Sequence, residues 1–146
     1  MPRAALDTTV LFAAAYRHDS SHDAALPILR GIDDGSLPEG VVIDYVLAET
    51  LNGLTTHAGH DAAVDFLDRL EASSHIRIDS LHGDTFAAGK SLFRRHEPFS
   101  LVDACLVAYM QDEEIDYCYA FDDDFDIADG CTRLATATNP YRPEEE

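Results

Sequence analysis

Four acidic residues stand where a folded chain commonly places chemistry: Asp7, Glu49, Asp103 and Asp122. Asp7 ends a short apolar opening, Ala4-Ala5-Leu6. Asp122 ends the aromatic run Tyr117-Cys118-Tyr119-Ala120-Phe121, which breaks abruptly into Asp122, Asp123, Asp124 and Asp126. Apolar runs of this length read as strands buried on both faces, and open α/β sheets collect ligands outside the carboxyl ends of such strands. Asp103 follows Ser100-Leu101-Val102 at the start of a helix that is apolar nearly all round, while Glu49 lies in the helix after the second strand. Carboxylates brought together there would repel one another, and their pKa values would rise unless a divalent cation neutralised them. An all-oxygen donor set suits Mg²⁺ or Mn²⁺.

Taken singly, each acid also has a plain structural reading. Asp7 suits a helix N-cap. Glu49 lies opposite the Leu47/Leu51/Leu54 stripe, beside Asn52 and Thr56, as a solvated residue would. Asp103 could complete a capping box with Ser100, although Glu or Gln is the more usual partner. Residues 122–126 could be a solvated loop in an acid-rich chain. Their joint placement, with two acids directly after strands and a third opening a buried helix, is what favours a shared site.

The elements that must position these acids follow from periodicity. A strand over residues 4–7 leads into a buried helix near 8–16, and Ser20-Ser21-His22-Asp23 caps a second running to about Asp33, with Pro27 near its first turn. After the loop Gly35-Ser36-Leu37-Pro38-Glu39-Gly40 comes a strand at 41–43, then a helix over 45–58 with Leu47, Leu51, Leu54 and Ala58 along one stripe. Gly59 separates it from an amphipathic helix over 60–72 that turns Val64, Leu67 and Leu70 inward. A strand at 75–79, a helix over 81–95 ending in Arg94-Arg95-His96, and the central helix 101–112 follow, Pro98 dividing the two helices. The aromatic strand, a short helix near 123–128 and a last strand at 132–135 complete the pattern. Strands alternating with helices predict an α/β fold: a mainly parallel sheet of four to five strands with helices on both faces. The chain reads as one domain over residues 1–140 with an acidic tail at 141–146.

The formal net charge of −18 sets 28 acids against nine Arg and the single Lys90. With 46% apolar residues the chain should fold nonetheless. Such self-repulsion suits a salt-rich cytoplasm, where about 1 M salt shortens the screening length to about 3 Å, and a halophilic archaeal source is the expectation. An acid at position 7 interrupts any signal-peptide core and no apolar run reaches membrane-spanning length, so the protein is expected in the cytoplasm. Cys105, Cys118 and Cys131 are odd in number and widely spaced, which argues against a zinc site or a disulfide framework.

Leu6-Asp7-Thr8-Thr9-Val10-Leu11, Val46-Leu47-Ala48-Glu49-Thr50-Leu51, Ser100-Leu101-Val102-Asp103-Ala104 and Ala120-Phe121-Asp122-Asp123-Asp124-Phe125 together resemble the four acidic motifs of PIN domains, especially VapC-type toxin ribonucleases. Order and spacing agree over nearly the whole chain. The resemblance implies a PIN-like α/β sandwich and metal-dependent hydrolysis of RNA, with Asp7, Asp103 and Asp122 holding Mg²⁺ or Mn²⁺. Glu49 would ligate directly or through water, Asp124 stands in reserve, and Arg17, Arg94 and Arg95 are candidate phosphate contacts. It further implies a homodimer and a small DNA-binding, VapB-like antitoxin. Ala120 departs from the Thr or Ser often found two residues before the last acid of the family. A PIN nuclease without an antitoxin and a catalytically inactive PIN-like binding module are the alternatives. A haloacid-dehalogenase-like phosphatase would want an acid where Thr9 stands, and a receiver domain would want a lysine after a late strand, whereas Lys90 falls in a predicted helix.

Overall fold

The computed structural model describes residues 2–142. The chain runs β1 (Arg3–Leu6), α1 (Thr8–Ala15), α2 (His22–Asp33), β2 (Glu39–Ile43), α3 (Asp44–Ala58), α4 (His60–Ala72), β3 (Ile76–Asp79), α5 (Gly83–Arg95), α6 (Leu101–Asp112), β4 (Tyr117–Tyr119), a short 3₁₀ helix (Asp123–Ile127) and β5 (Thr132–Leu134). The strands form one sheet in the order β3-β2-β1-β4-β5, and every pairing is parallel. The α/β expectation holds, with five strands.

Successive residues of a strand face opposite sides of a sheet. Ala4, Ala5 and Leu6 in β1 and Val41, Val42 and Ile43 in β2 are all fully buried, so helices cover both faces here, as parallel sheets require. The strand order also contains a reversal. From β1 the chain winds outward through β2 to β3, then crosses back to lay β4 on the other side of β1. The carboxyl ends of β1 and β4 therefore flank the switch point, where open α/β sheets form their ligand crevice.

α6 is the buried helix expected: every residue from Asp103 to Met110 is buried. It lies very close to α5, because a Cβ added at Gly89 would come within 2.8 Å of Cys105 Sγ and 3.0 Å of Cys105 Cα. Backbone cannot move aside as a side-chain tip can. Gly89→Ala is expected to cost about 2 kcal/mol through overpacking, lowering a calorimetric melting temperature by about 7 °C. An unchanged melting temperature would show that the two helices separate freely.

Two helices are rotated from the sequence expectation. In α3 the buried residues are Val46, Thr50 and Leu54, with Leu47 and Leu51 half-buried and Ala58 exposed. Thr50 is accommodated because its hydroxyl donates to Val46 O at 2.8 Å. In α4 the inward residues are Ala63, Phe66 and Leu70, and Val64 is 40% exposed. In each case a small or aromatic residue one step away, Thr50 or Phe66, fits the neighbouring surface better than the aliphatic residue that hydropathy alone favours. Cys105, Cys118 and Cys131 are all free thiols.

Tyr141 is docked on the sheet through Tyr117 and Arg3. Tyr141 packs edge-on against Tyr117 with ring centres 5.3 Å apart, and its hydroxyl donates to Arg3 O at 3.3 Å. The acidic residues 144–146 lie outside the described residues. Among the described residues no helix is long and apolar enough to cross a membrane.

Candidate active site

β1 ends at Leu6, and Asp7 becomes the N-cap of α1 with extended backbone (φ −89°, ψ 158°). Its backbone N–H completes the β1–β4 junction by donating to Tyr119 O at 3.1 Å. Asp7 Oδ2 accepts from the Thr9 N–H at 3.2 Å and from the Thr9 hydroxyl at 2.6 Å. Asp7 Oδ1 is buried and has no hydrogen-bond partner, and the side chain is only 1% exposed. The capping reading is thus correct for one oxygen and leaves the other unexplained. A buried acceptor with no donor calls for a proton or a cation. Burial raises the Asp7 pKa most strongly, Thr9 and Thr8 lower it, and the nearby Glu49 charge raises it again.

Ser100 caps α6, its Oγ accepting from the Asp103 N–H at 3.1 Å. The reciprocal bond of a capping box, from the Ser100 N–H to the Asp103 carboxylate, is not made among the described residues. The shorter aspartate leaves its carboxylate free for other company. Burial pushes the Asp103 pKa up to about 7, and the charges of Asp7, Asp122 and Glu49 push in the same direction against the Ser100 hydroxyl. Four acids from four parts of the chain therefore share one electrostatic environment.

Asp122 follows β4 and caps the 3₁₀ helix, its Oδ1 accepting from the Asp124 N–H at 2.9 Å. Asp122, Asp123 and Asp124 are the one trio of possible metal-binding groups among the described residues with ligand atoms all within 4.8 Å of one another. That closeness is imposed by three consecutive positions on one turn, with Asp123 exposed. Asp7, Asp103 and Asp122 are gathered less tightly but come from separate elements. Asp122 is the member of the turn whose charge is felt at Asp103. Asp126 is otherwise engaged: Arg133 Nε donates to its Oδ1 at 2.9 Å and Nη2 to its Oδ2 at 3.2 Å.

Glu49 is exposed on α3, as its helical position predicts, yet its charge reaches both Asp7 and Asp103. The solvated reading and the site reading describe the same side chain at the mouth of the cluster. Arg17 is exposed just past α1. Arg94 and Arg95 are exposed in the last turn of α5; Arg95 Nε donates to Ser91 O at 3.4 Å. Among the described residues, none of these three arginines forms an ion pair or hydrogen bond with the four acids.

Thr9 is the functional residue that sequence reasoning passed over. Its hydroxyl donates to Asp7 and accepts from the Phe121 N–H at 3.1 Å, tying α1 to the loop that carries Asp122. The available signal was local, a hydroxyl two residues after a capping aspartate; the link to Phe121 spans 112 positions. Ala120 is fully buried beside this junction, so the hydroxyl tie here comes from α1. Thr9→Val is expected to cost about 1–2 kcal/mol, by removing both hydroxyl hydrogen bonds and leaving the Phe121 N–H without its partner, whereas Thr9→Ser should retain most of the wild-type stability. Equal melting temperatures for Val and wild type would remove Thr9 from this role.

The donor set fits a hard divalent cation: all oxygens, one buried and unpaired, one whose pKa is raised by burial and by neighbouring carboxylates. Within the chain's own matches, a PIN domain is found over residues 4–130. Among solved structures, the chain is similar to the VapC20 toxin of Mycobacterium tuberculosis, described as cleaving the Sarcin-Ricin loop. Identity is 28%, TM-score 0.75, and coverage 86% of this chain and 95% of that one. VapBC2 from Rickettsia felis, bound to a promoter DNA fragment, shares the fold at 15% identity, TM-score 0.68, with 90% and 97% covered. A toxin–antitoxin complex from Klebsiella pneumoniae does so at 18% identity, TM-score 0.61, with 93% and 98% covered. No curated protein sequence matches. With the strand order, the four carboxylates and the family match in agreement, the chain belongs to the PIN-domain family.

Proposed function

We propose that the protein is a metal-dependent endoribonuclease acting in the cytoplasm as the toxin of a toxin–antitoxin pair. The observation that carries the nuclease reading is the convergence of Asp7, Glu49, Asp103 and Asp122, with Asp7 Oδ1 buried and unpaired and the Asp103 pKa raised to about 7. The toxin reading is supported by the 28% identity to VapC20. Asp7, Asp103 and Asp122 would hold Mg²⁺ or Mn²⁺, with Asp124 as a further ligand in reserve. Such an ion, when bound, makes a water acidic enough to attack phosphorus near neutral pH and offsets charge on the phosphoryl oxygens. Glu49, at the solvent side, would orient that water or accept its proton. The phosphodiester breaks on the 3′-oxygen side, leaving 5′-phosphate and 3′-hydroxyl ends, and no Ser, Cys or His nucleophile takes part.

Arg17, Arg94 and Arg95 are the proposed phosphate contacts. The proposed partners are a second copy of the chain and a small VapB-like DNA-binding antitoxin that blocks the site. The net charge of −18 supports a salt-rich, halophilic setting. The test is cleavage of RNA in molar KCl with and without Mn²⁺ or Mg²⁺, with the product ends identified. Cleavage should stop with EDTA and return with excess metal. Persistence in EDTA, or 2′,3′-cyclic phosphate ends, would overturn the mechanism.

A further inference from the structure

A protein this acidic repels the backbone of any nucleic acid, so substrate must be gripped by something besides phosphate neutralisation. The seam between α1 and α3 points to such a grip at its far end. Thr8 and Phe12 of α1 and its C-cap Tyr16 are four residues apart, and Glu49, Gly53 and His57 are four apart along α3; the two helices pack together. Each row starts at the acidic cluster and runs about 12 Å along its helix, a length of roughly three stacked bases. Gly53 permits the close approach, since a Cβ there would lie 3.3 Å from the Phe12 ring.

At the far end of the seam four rings are held against one another. Phe12 lies 5.4 Å from Tyr16 and 5.6 Å from His57, Tyr16 lies 5.8 Å from His57, and Tyr16 lies 5.5 Å from His18, all tilted or edge-on. His18, His57 and Arg17 are exposed and Tyr16 is half-buried. The Tyr16 hydroxyl makes no hydrogen bond among the described residues. Together with Ala15 and Ala58, Tyr16, Arg17, His18 and His57 line a hollow of about 510 Å³. On the other side of Phe12, a hollow of about 400 Å³ lies between α1, the Asp19-Ser20-Ser21 loop and Phe121-Asp122. Phe12 thus belongs to both the ring cluster and the wall of the active site.

Resting on the nuclease reading above, we infer that Tyr16 and His57 form a base-stacking platform for single-stranded RNA, with Arg17 at the adjoining phosphate, about three nucleotides from the scissile bond. Aromatic faces accept any base, and their grip persists where salt screens charge. The imidazoles contribute hydrogen-bonding groups and the guanidinium contributes positive charge, without requiring a broad basic surface. The Arg17 contact contributes about −0.7 to the slope of log affinity against log salt, so that even with Arg94 and Arg95 engaged the salt dependence stays shallow, about −2.

The test is fluorescence anisotropy with a labelled 12-nucleotide oligoadenylate, in an Asp103→Asn background so that RNA is bound but not cut. Tyr16→Leu and His57→Ala should each weaken binding about tenfold, within the range for loss of one stacked base, while Tyr16→Phe retains it. Circular dichroism on each variant separates loss of grip from loss of fold; His57, exposed in the last turn of α3, tolerates Ala in either case. Binding within twofold of the background in both Tyr16→Leu and His57→Ala overturns the platform. If the wild type fails to cut RNA with Mn²⁺ while these losses of binding remain, the nuclease reading falls and the RNA site stands.

Discussion

Asp103→Asn is expected to lower RNA cleavage by about 10³-fold or more while raising the melting temperature of the metal-free protein. The two effects share one cause. Asp103 is 9% exposed, and its carboxylate faces the charges of Asp7, Asp122 and Glu49. Asn keeps the shape and the backbone bond to Ser100 Oγ but removes the charge, relieving repulsion in the folded state. About 1–2 kcal/mol of relief, the scale of a partly screened pair, corresponds to about 3–7 °C in a chain of this size. On the proposed mechanism, the same missing charge would deprive a divalent cation of a ligand and leave transition-state charge unneutralised. Wild-type protein at 100 times its metal dissociation constant gains about 2.7 kcal/mol; Asp103→Asn should lose most of that rise. Thermal scans with and without Mn²⁺ check it, and an undiminished metal response would remove Asp103 from the ligand set.

The metal-free protein is also expected to be markedly more stable at pH 5 than at pH 8. Asp103 has a folded-state pKa of about 7 against an ordinary carboxyl value of 3.8. A raised value means that the folded state holds the proton more tightly than the unfolded chain does. Stability is therefore greatest below about pH 4 as far as this group is concerned, and it falls as pH rises from there through 7. Roughly three pH units correspond to about 4 kcal/mol at most, or about 14 °C between the extremes. Asp7, whose pKa is likewise raised, acts in the same direction. Denaturant titrations at pH 5 and 8 in EDTA measure the difference, and Asp103→Asn should flatten it. Greater stability at pH 8 in EDTA would contradict the carboxylate repulsion described for the site.

Much of this architecture can be read from local pattern. The strand–helix alternation, the span of α6 and the capping role of Asp7 all follow from periodicity and cap chemistry within a few residues. What could not be read is what depends on distant partners. The apolar count along α3 favoured Leu47 and Leu51, but the neighbouring surface selected Val46 and Thr50. Glu49 looked like a solvated residue and is one; only the location of α1 and α6 brings its charge to Asp7 and Asp103. Strand order was beyond local reach because no short-range signal states that Ala5 pairs with both Val41 and Cys118. Thr9 was invisible for the same reason, its second partner being the backbone of Phe121.

The pairing of β1 with β4 has a kinetic meaning. Ala5 and Leu6 find their partners at Cys118 and Tyr119, more than a hundred residues downstream, and contacts so remote in sequence form slowly because the loop must close before they reward it. During synthesis, Asp122 leaves the ribosome long after Asp7. Until β4 and the turn that follows it have emerged, β1 lacks one neighbour, α1 lacks its tie to Phe121, and the carboxylate cluster lacks Asp122. The four acids therefore come together late, as a consequence of strand order rather than of any one of them.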